Sequence, residues 1–392
     1  MIPYGRQWIS PEDIASVVDV LTSDHLTQGP AIPRFEQVVR TACAAPHAIA
    51  INSATSGLHI ASLALGLGQG KRLWTSPNSF VASANVARLC GAEVDFVDID
   101  PDTLNMCAGQ LRDKLQIARR AGRLPHIVMP VHFAGLSCDM PAIHALALEF
   151  GFQVIEDASH AIGAIYDGGP VGECRHSDAC VFSFHPVKIV TTGEGGAVTT
   201  RNDRLATTLD RLRSHGITRD PALMTHDADG PWYYQQLDLG LNYRMTDMQA
   251  ALGASQMQRL EQFIDLRHSL ARRYDAALAN LPLRRQQRDM AGRSALHLYP
   301  VQLDPSLPDR AGLRRRLFDR MRNDGIGVNV HYIPIHTQPY YRALGFRRGQ
   351  CPVAETYYEG ALSLPLHPQM SDADQAAVID SLTSGLTSLG LI

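Results

Sequence analysis

Two residues of opposite charge share one kind of position, each following an apolar run of strand length. Asp157 lies in Glu156-Asp157-Ala158-Ser159-His160, just past the carboxyl end of an apolar run of strand length. Open α/β sheets bind ligands at that edge. Lys188 ends Phe182-Ser183-Phe184-His185-Pro186-Val187-Lys188, after another such run, 31 positions further on and one crossover unit away. A desolvated lysine beside a cationic ring has a lowered pKa and can form a Schiff base and carry a proton. A carboxylate at such an edge can keep a heterocyclic nitrogen protonated by a charge-assisted hydrogen bond. Two further segments add to this pair. Asn52-Ser53-Ala54-Thr55-Ser56-Gly57 separates a strand from a helix and offers backbone N–H groups and hydroxyls, the equipment of a phosphate site. Pro77-Asn78-Ser79-Phe80-Val81-Ala82-Ser83 places an aromatic ring, Phe80, at the start of a helix after a strand.

Each segment alone has a plainer explanation. Ser53 can simply cap its helix, Asp157 the next one, and Phe80 can be a core aromatic; most lysines are solvated. Together they describe one ligand, pyridoxal 5'-phosphate. Asp157 would hold its ring nitrogen, Lys188 its aldehyde carbon, and Ser183 its phosphate, with Phe80 against its face. Gly195-Gly196 would let the backbone fold tightly beside it. Other motifs fail on spacing. Gly66, Gly68 and Gly70 follow a helix and precede a strand, the reverse of a dinucleotide fingerprint. Lys71 lacks the earlier glycine of a phosphate-binding loop, and Gly135-Leu136-Ser137-Cys138-Asp139 lacks the second glycine of a nucleophile elbow. Sixteen histidines form no HExxH or comparable cluster, so no metal is expected.

The elements that must position these residues follow a βαβα rhythm. Strands are expected at Ala48 to Ile51, Leu73 to Thr75, Val94 to Val97, Ile127 to Val131, Gln153 to Ile155, Ala179 to Phe184 and Ala197 to Thr200. Helices are expected from about Thr55 to Leu65, Ser79 to Leu89, Met140 to Phe150 and Asp203 to Ser214. This argues for a mostly parallel sheet covered on both faces. The rhythm changes near residue 245. Thr246 with Gln249 signals a capping box opening a long helical stretch towards Leu281. A strand at Leu296 to Leu303, a helix at Arg310 to Asn323, a strand at Gly327 to Tyr332 and a final helix from Ser371 towards Leu389 complete a smaller α+β domain. The expected division is 1–245 and 246–392.

Composition sets the boundaries. With 392 residues, 45% hydrophobic and 19% charged, the chain reads as a globular enzyme with a core that needs no staples. A net charge of −3 gives no field to hold nucleic acid or an anionic membrane. The basic run Arg314 to Arg322 is broken by Leu317, Phe318, Asp319 and Met321, as on one face of an amphipathic helix. Seven cysteines without a CxxC pair suit reduced thiols, and Met1 to Trp8 has no apolar signal core, so a cytoplasmic protein is expected.

These segments resemble the DegT/DnrJ/EryC1/StrS family of sugar-nucleotide aminotransferases. The likeness extends through Leu26-Thr27-Gln28-Gly29-Pro30, Leu241-Asn242-Tyr243-Arg244-Met245-Thr246-Asp247, Val330-His331-Tyr332-Ile333-Pro334 and Leu362-Ser363-Leu364-Pro365-Leu366-His367, essentially the whole chain. The resemblance implies the α/β fold of the type I PLP-dependent aminotransferases, a large mostly parallel sheet domain with a smaller α+β C-terminal domain. It also implies Lys188 and Asp157 as catalytic residues. Ser53, Ala54, Thr55, Phe80, His160 and Ser183 would contact the cofactor. The expected assembly is a homodimer with shared active sites, in which Asn242 reaches the cofactor phosphate of the partner. Tyr4, Gln28, His185, His331 and Tyr332 would face the nucleotide sugar. Within the family, Ser183-Phe184-His185, Thr191-Thr192-Gly193-Glu194-Gly195-Gly196, His160 and His331-Tyr332-Ile333-Pro334-Ile335-His336 resemble the C4 transaminases of pseudaminic acid biosynthesis, which use L-glutamate and a UDP-keto sugar. Ile189 departs from the proline or asparagine usual after the lysine. Transaminases of other NDP-keto sugars are the first alternative. PLP-dependent sugar dehydratases of this fold, in which histidine replaces the lysine, are the second.

Overall fold

The computed structural model describes residues 1–288 and 292–392. Helices α1 (Pro11–Leu21) and α2 (Ala31–Cys43) lead into a seven-stranded sheet. In chain order follow β1 (His47–Ile51), α3 (Ala54–Ala64), β2 (Arg72–Thr75), α4 (Ala82–Leu89), β3 (Glu93–Phe96), α5 (Ala108–Arg120), β4 (Ile127–Met129) and α6 (Met140–Phe150). Next come β5 (Gln153–Asp157), β6 (Ala179–Ser183), β7 (Gly196–Thr200) and α7 (Asp203–Leu212). The strand order is β1-β7-β6-β5-β4-β2-β3; every neighbouring pair is parallel except the two that β7 makes.

Alternation along the strands explains why both faces are covered. Ile49, Ile51, Ile155, Val181 and Val198 join the core beneath α3, α4 and α7. Their neighbours Ala48, Ala50, Cys180, Phe182 and Ala197 point the other way, against residues of α2, α8 (Asp247–Met257) and α9 (Leu260–Ala277). All five residues of β6 are buried, as expected of a strand with helices on each side.

Besides short two-residue strands and 3-10 turns, the later elements are β8 (Leu283–Arg285), β9 (Tyr299–Leu303), α10 (Arg310–Asn323), α11 (Pro339–Ala343), α12 (Pro352–Gly360), β10 (Ala361–Leu364) and α13 (Asp372–Ser388). Strands β8-β9-β10 form an antiparallel sheet whose core joins α9, α10 and α13. Ile2–Pro3 pairs in parallel with Ile326–Gly327, so the chain's first residues lie beside this second sheet.

The structure corrects several sequence expectations. The helix placed at Ser79 begins at Ala82, because Pro77-Asn78-Ser79 is a turn held by Ser76 Oγ; Phe80 therefore precedes the helix. The strand at Ile127 stops at Met129, since Pro130 has no N–H for the ladder. The strand placed at Leu296 begins at Tyr299, and the one placed at Gly327 to Tyr332 keeps strand form only at Ile326–Gly327. Beyond it the chain leaves the sheet: Tyr332 N donates to Asn78 Oδ1 (3.2 Å) and Ile335 N to the Pro77 carbonyl (3.0 Å). Helices α1, α2, α5, α11 and α12 and strands β8 and β10 lie where no element was expected.

The long helix expected from Thr246 is two helices. Thr246 caps α8 with Gln249 in a capping box, but the helix ends at Met257. At the break, Ser255, Gln256 and Arg259 all turn to the carboxylate of Asp13, which is 0% exposed and also caps α1 with Ser10. Asp13→Ala would leave the Arg259 charge and two buried donors without their acceptor. We expect it to cost about 3–5 kcal/mol, read as a lower urea midpoint at unchanged slope.

Candidate active site

The carboxyl ends of β1, β5 and β6 lie on one edge of the sheet, and antiparallel β7 starts there. Gly196 is paired to both Ile51 and Ser183. A Cβ on Gly196 would stand 2.8 Å from Ala54 N and 2.7 Å from the Phe182 carbonyl, so glycine admits the start of α3 onto the strand ends. Ser53 caps α3, accepting from Ser56 N (3.2 Å) and meeting Ser56 Oγ (3.0 Å). The plain capping role is thus realised by its side chain. The N–H groups of Ala54 and Thr55 are first-turn donors with no intrahelical acceptor, and Thr55 is exposed. Ser183 is buried beside Gly196, and its hydroxyl bonds to no protein group among the described residues. This edge has the donors a phosphate needs.

Asp157, at the end of β5, is buried. Its Oδ1 accepts from Ser159 N (3.1 Å) and Ser159 Oγ (2.6 Å), its Oδ2 from Ser83 Oγ (2.7 Å). Ser83 in α4 is itself 2.7 Å from Ser79 Oγ. The sequence marks Ser83 only by its spacing of four from Ser79, the distance that brings two side chains together on a helical face. Phe80, three residues before Ser83, is 60% exposed, an aromatic ring left uncovered beside the carboxylate's support. On the opposite face of β5, Glu156 is bonded by Ser177 and by His132 Nε2 (2.7 Å).

Lys188 is half-buried in a turn in which its N–H donates to the His185 carbonyl (2.9 Å); His185 itself is exposed. Burial pushes the Lys188 amine down to about 8, with the Asp157 carboxylate opposing the shift. Three imidazoles feel the lysine charge. Burial first, and Lys188 second, hold His160 well below its usual value and His331 at about 3. His297 is held low by burial, then by His160 and Lys188. His160 Nδ1 accepts from Ala134 N (3.2 Å), and its Nε2 lies 3.1 Å from Tyr332 Oη. His331 Nδ1 lies 2.8 Å from Ser363 Oγ, and its ring centroid is 5.3 Å from that of Tyr4. His297, its ring 4.5 Å from His160, escaped the sequence reading.

The structure thus gathers Asp157, Lys188, His160, His331, Tyr332 and Tyr4 around one space. Gln28 and Asn242 are set apart from that cluster, both exposed. Gln28 lines a cavity of about 350 Å³ with Glu36, Arg213, Ser214 and Arg244. Asn242 bridges to Ser214, and its carbonyl accepts from Asn52 Nδ2 (3.4 Å), beside the start of α3.

Residues 7–383 match the model of the DegT/DnrJ/EryC1/StrS aminotransferase family. A spore coat polysaccharide biosynthesis protein, SpsC of Bacillus subtilis, is 37% identical over 385 residues, 97% of this chain and 96% of its own. The UDP-4-amino-4,6-dideoxy-N-acetyl-beta-L-altrosamine transaminase of Campylobacter jejuni is 35% identical over 390 residues, 98% of this chain and 97% of its own. The PLP form of a sugar aminotransferase, Spr1654 of Streptococcus pneumoniae, superposes with a TM-score of 0.88 at 26% identity, over 99% of each chain. The chain belongs to the DegT/DnrJ/EryC1/StrS aminotransferase family and has its α/β fold.

The amine gives a direct test. A folded-state value below that of the unfolded lysine means the fold disfavours the ammonium; stability from this group rises with pH from about 8 to the ordinary lysine range. Reductive methylation of Lys188 in the cofactor-free protein, followed by peptide mass spectrometry across pH, should show a midpoint near 8. A midpoint above about 10, as for a free lysine, would contradict the site described.

Proposed function

We propose, starting from that membership, that this enzyme is a PLP-dependent transaminase. In this reading it moves the amino group of L-glutamate to C4 of a UDP-4-keto-6-deoxy-N-acetylhexosamine of the pseudaminic acid type. What carries the reading is the pairing of Lys188 with Asp157 at the sheet edge to which Ser183 and the start of α3 are also brought. The residues fit the cofactor: free first-turn N–H groups and an unspent hydroxyl for its phosphate, a buried carboxylate for its ring nitrogen, and an uncovered aromatic for its face.

When bound, pyridoxal phosphate withdraws electrons from the bond to be broken at the amino-bearing carbon. Asp157 would hold the proton on the ring nitrogen that makes this withdrawal strong, and Ser83 and Ser159 keep its oxygens aimed. Lys188 would hold the cofactor through its amine, and its neutral amine would serve as the base for the proton of the substrate α-carbon. Its value near 8 leaves part of the amine neutral at physiological pH, as a base requires. Ala54 and Thr55 N–H, the Ser53 cap and Ser183 Oγ would hold the phosphate; Phe80 would cover the ring face; His160 would stand at the ring's edge. Tyr4, His331 and Tyr332 would line the space for the sugar, and the exposed His185 would face it. Asn242 and Gln28 act from the second subunit of a homodimer, since in one chain they stand outside the cluster.

The likeness to SpsC favours one second reading, a transaminase of a different nucleotide-linked keto sugar. The dehydratase reading loses ground to Lys188, which those enzymes replace by histidine.

Purified chain incubated with pyridoxal phosphate, L-glutamate and the UDP-4-keto-6-deoxy-N-acetyl-β-L-altrosamine tests the proposal, with the product identified by NMR. Nitrogen is expected at C4. Lys188→Ala should lose turnover and the visible absorbance of the bound cofactor; Asp157→Asn should keep the cofactor and slow the reaction about 10²- to 10³-fold. A colourless wild-type protein or a fully active Lys188→Ala variant would overturn the mechanism. Amination of another sugar in a panel would select the second reading.

A further inference from the structure

We propose that Arg267 is a positioning residue that acts through the 295–298 segment and the turn Phe133–Gly135 to hold His160 as a neutral Nε2–H donor towards Tyr332. The inference rests on the reading of the Lys188 site as the reaction centre.

The starting observation is a guanidinium in the wrong place. Arg267, in α9, is 0% exposed, and no carboxylate bonds to it among the described residues. Burial pushes it down to about 10, so it keeps its charge at neutral pH. An isolated buried charge is costly to a fold. Its Nη1 instead donates to three backbone carbonyls: Leu296 (3.2 Å), His297 (3.1 Å) and Leu366 (2.9 Å).

Two of those carbonyls, of Leu296 and His297, belong to a chain of peptide bonds that ends at His160. The N–H of His297 donates to the Ala134 carbonyl (2.9 Å), as does that of Leu298 (3.4 Å), and the N–H of Ala295 donates to the Gly135 carbonyl (2.9 Å). Ala134 needs this hold. It has φ 59°, a left-handed conformation that costs a residue with a side chain about 1–3 kcal/mol. The N–H of this same Ala134 donates to His160 Nδ1 (3.2 Å). Nδ1 is therefore an acceptor, and the ring proton of neutral His160 is on Nε2, 3.1 Å from Tyr332 Oη. Were the turn to relax, Nδ1 could take the proton and Tyr332 would have to donate into the ring. With the turn held, the Tyr332 oxygen accepts a hydrogen bond from His160 Nε2–H and keeps its own hydroxyl hydrogen for an acceptor in the reaction space.

Arg267 also reaches the other side of the site. The carbonyl of Leu366 that it binds belongs to the residue whose N–H donates to the Tyr4 carbonyl (3.0 Å). One cation thus steadies the backbones carrying His297 and Tyr4. The charged and titratable groups around His160 are Lys188, His331, His297 and Tyr332, with Asp157 earlier on its own segment and Arg267 behind His297. The cations and imidazoles among them disfavour a second proton on His160, so a loose ring would change its tautomer before its charge.

The test is the ¹⁵N NMR of the histidine-labelled holoenzyme, with His160 assigned by its loss in His160→Gln. The wild type should show His160 with a bare Nδ1 and a protonated Nε2, unchanged from pH 5.5 to 8.5. In Arg267→Met the two nitrogens should move towards averaged values. In the same variant kcat should fall roughly 10- to 100-fold with KM for L-glutamate within about threefold, and Arg267→Lys should recover part of both effects. A wild-type His160 protonated on Nδ1, or titrating near the ordinary histidine value, overturns the inference, and this measurement stands even where Arg267→Met does not fold. So does an Arg267→Met holoenzyme with an unaltered His160 spectrum, whatever its activity. A wild-type chain that takes up no pyridoxal phosphate would instead remove the transaminase reading beneath it.

Discussion

The carboxylate of Asp157 at the end of β5 is the constraint around which the site is arranged. It is buried, and an ionised carboxylate taken from water demands hydrogen-bond donors at once. Three come from two directions. Ser159 supplies its N–H and its hydroxyl from the loop that follows, and Ser83 supplies a hydroxyl from α4, 74 residues earlier. Its backbone is fixed as firmly, with the N–H on the Pro130 carbonyl (2.9 Å) and the carbonyl on His132 N (3.0 Å). A group so held can meet a cationic ring without reorganising, which is how a buried polar site gains over the same groups in water. α4, packed on the sheet through Ala84, Val86 and Ala87, also delivers the Ser83 hydroxyl to this one side chain.

The parts of the site legible in the sequence are those set by local rules. Asp157, Lys188 and Ser183 follow apolar runs, and a parallel sheet with helices on both faces must bring the ends of such runs to one edge. Ser53 announces a helix start by type alone. Ser83, His297 and Arg267 carry no such mark. Ser83 is a lone serine on a short helix, and the carboxylate it serves lies 74 residues away across the sheet edge. Arg267 sits in an ordinary amphipathic helix, where an arginine reads as solvated; its burial is decided by carbonyls 29, 30 and 99 residues away. The helix break at Met257 was hidden for the same reason, because its cause is Asp13 at the far end of the chain. Gln28 and Asn242 show the converse. Their segments are joined by the Thr27–Thr246 bridge, a pairing that motif reading does not reveal.

The stretch from Asn329 to Ile335 links the two sheets. Asn329 still bridges to Ser363 of β10, and His331 bonds its neighbouring hydroxyl. Tyr332 and Ile335 are already bonded to Asn78 and Pro77 in the loop before α4. The crossing ends the strand that hydrophobic pattern suggested, and it delivers the Tyr332 hydroxyl to His160. The same loop therefore supports both walls of the space: its backbone and Asn78 hold the Tyr332 segment, and Ser79 and Ser83 hold Asp157.

The charge inventory of that space explains why so many histidines can stand in it. Three imidazoles, one amine and one carboxylate stand close together, and ordinary values would make the amine fully cationic and the rings partly so. Burial and mutual repulsion hold His160, His297 and His331 neutral, which leaves them as oriented donors and acceptors. Asp157 then has one cation to balance, Lys188, and favours its charge, while burial acts against it and prevails. The outcome near 8 is a compromise between those two forces. A stronger carboxylate field would keep the amine protonated and inert, and deeper burial would cost it the charge it needs when it carries a proton. Neutral histidines are therefore part of the lysine's chemistry, since each additional positive ring would shift that balance.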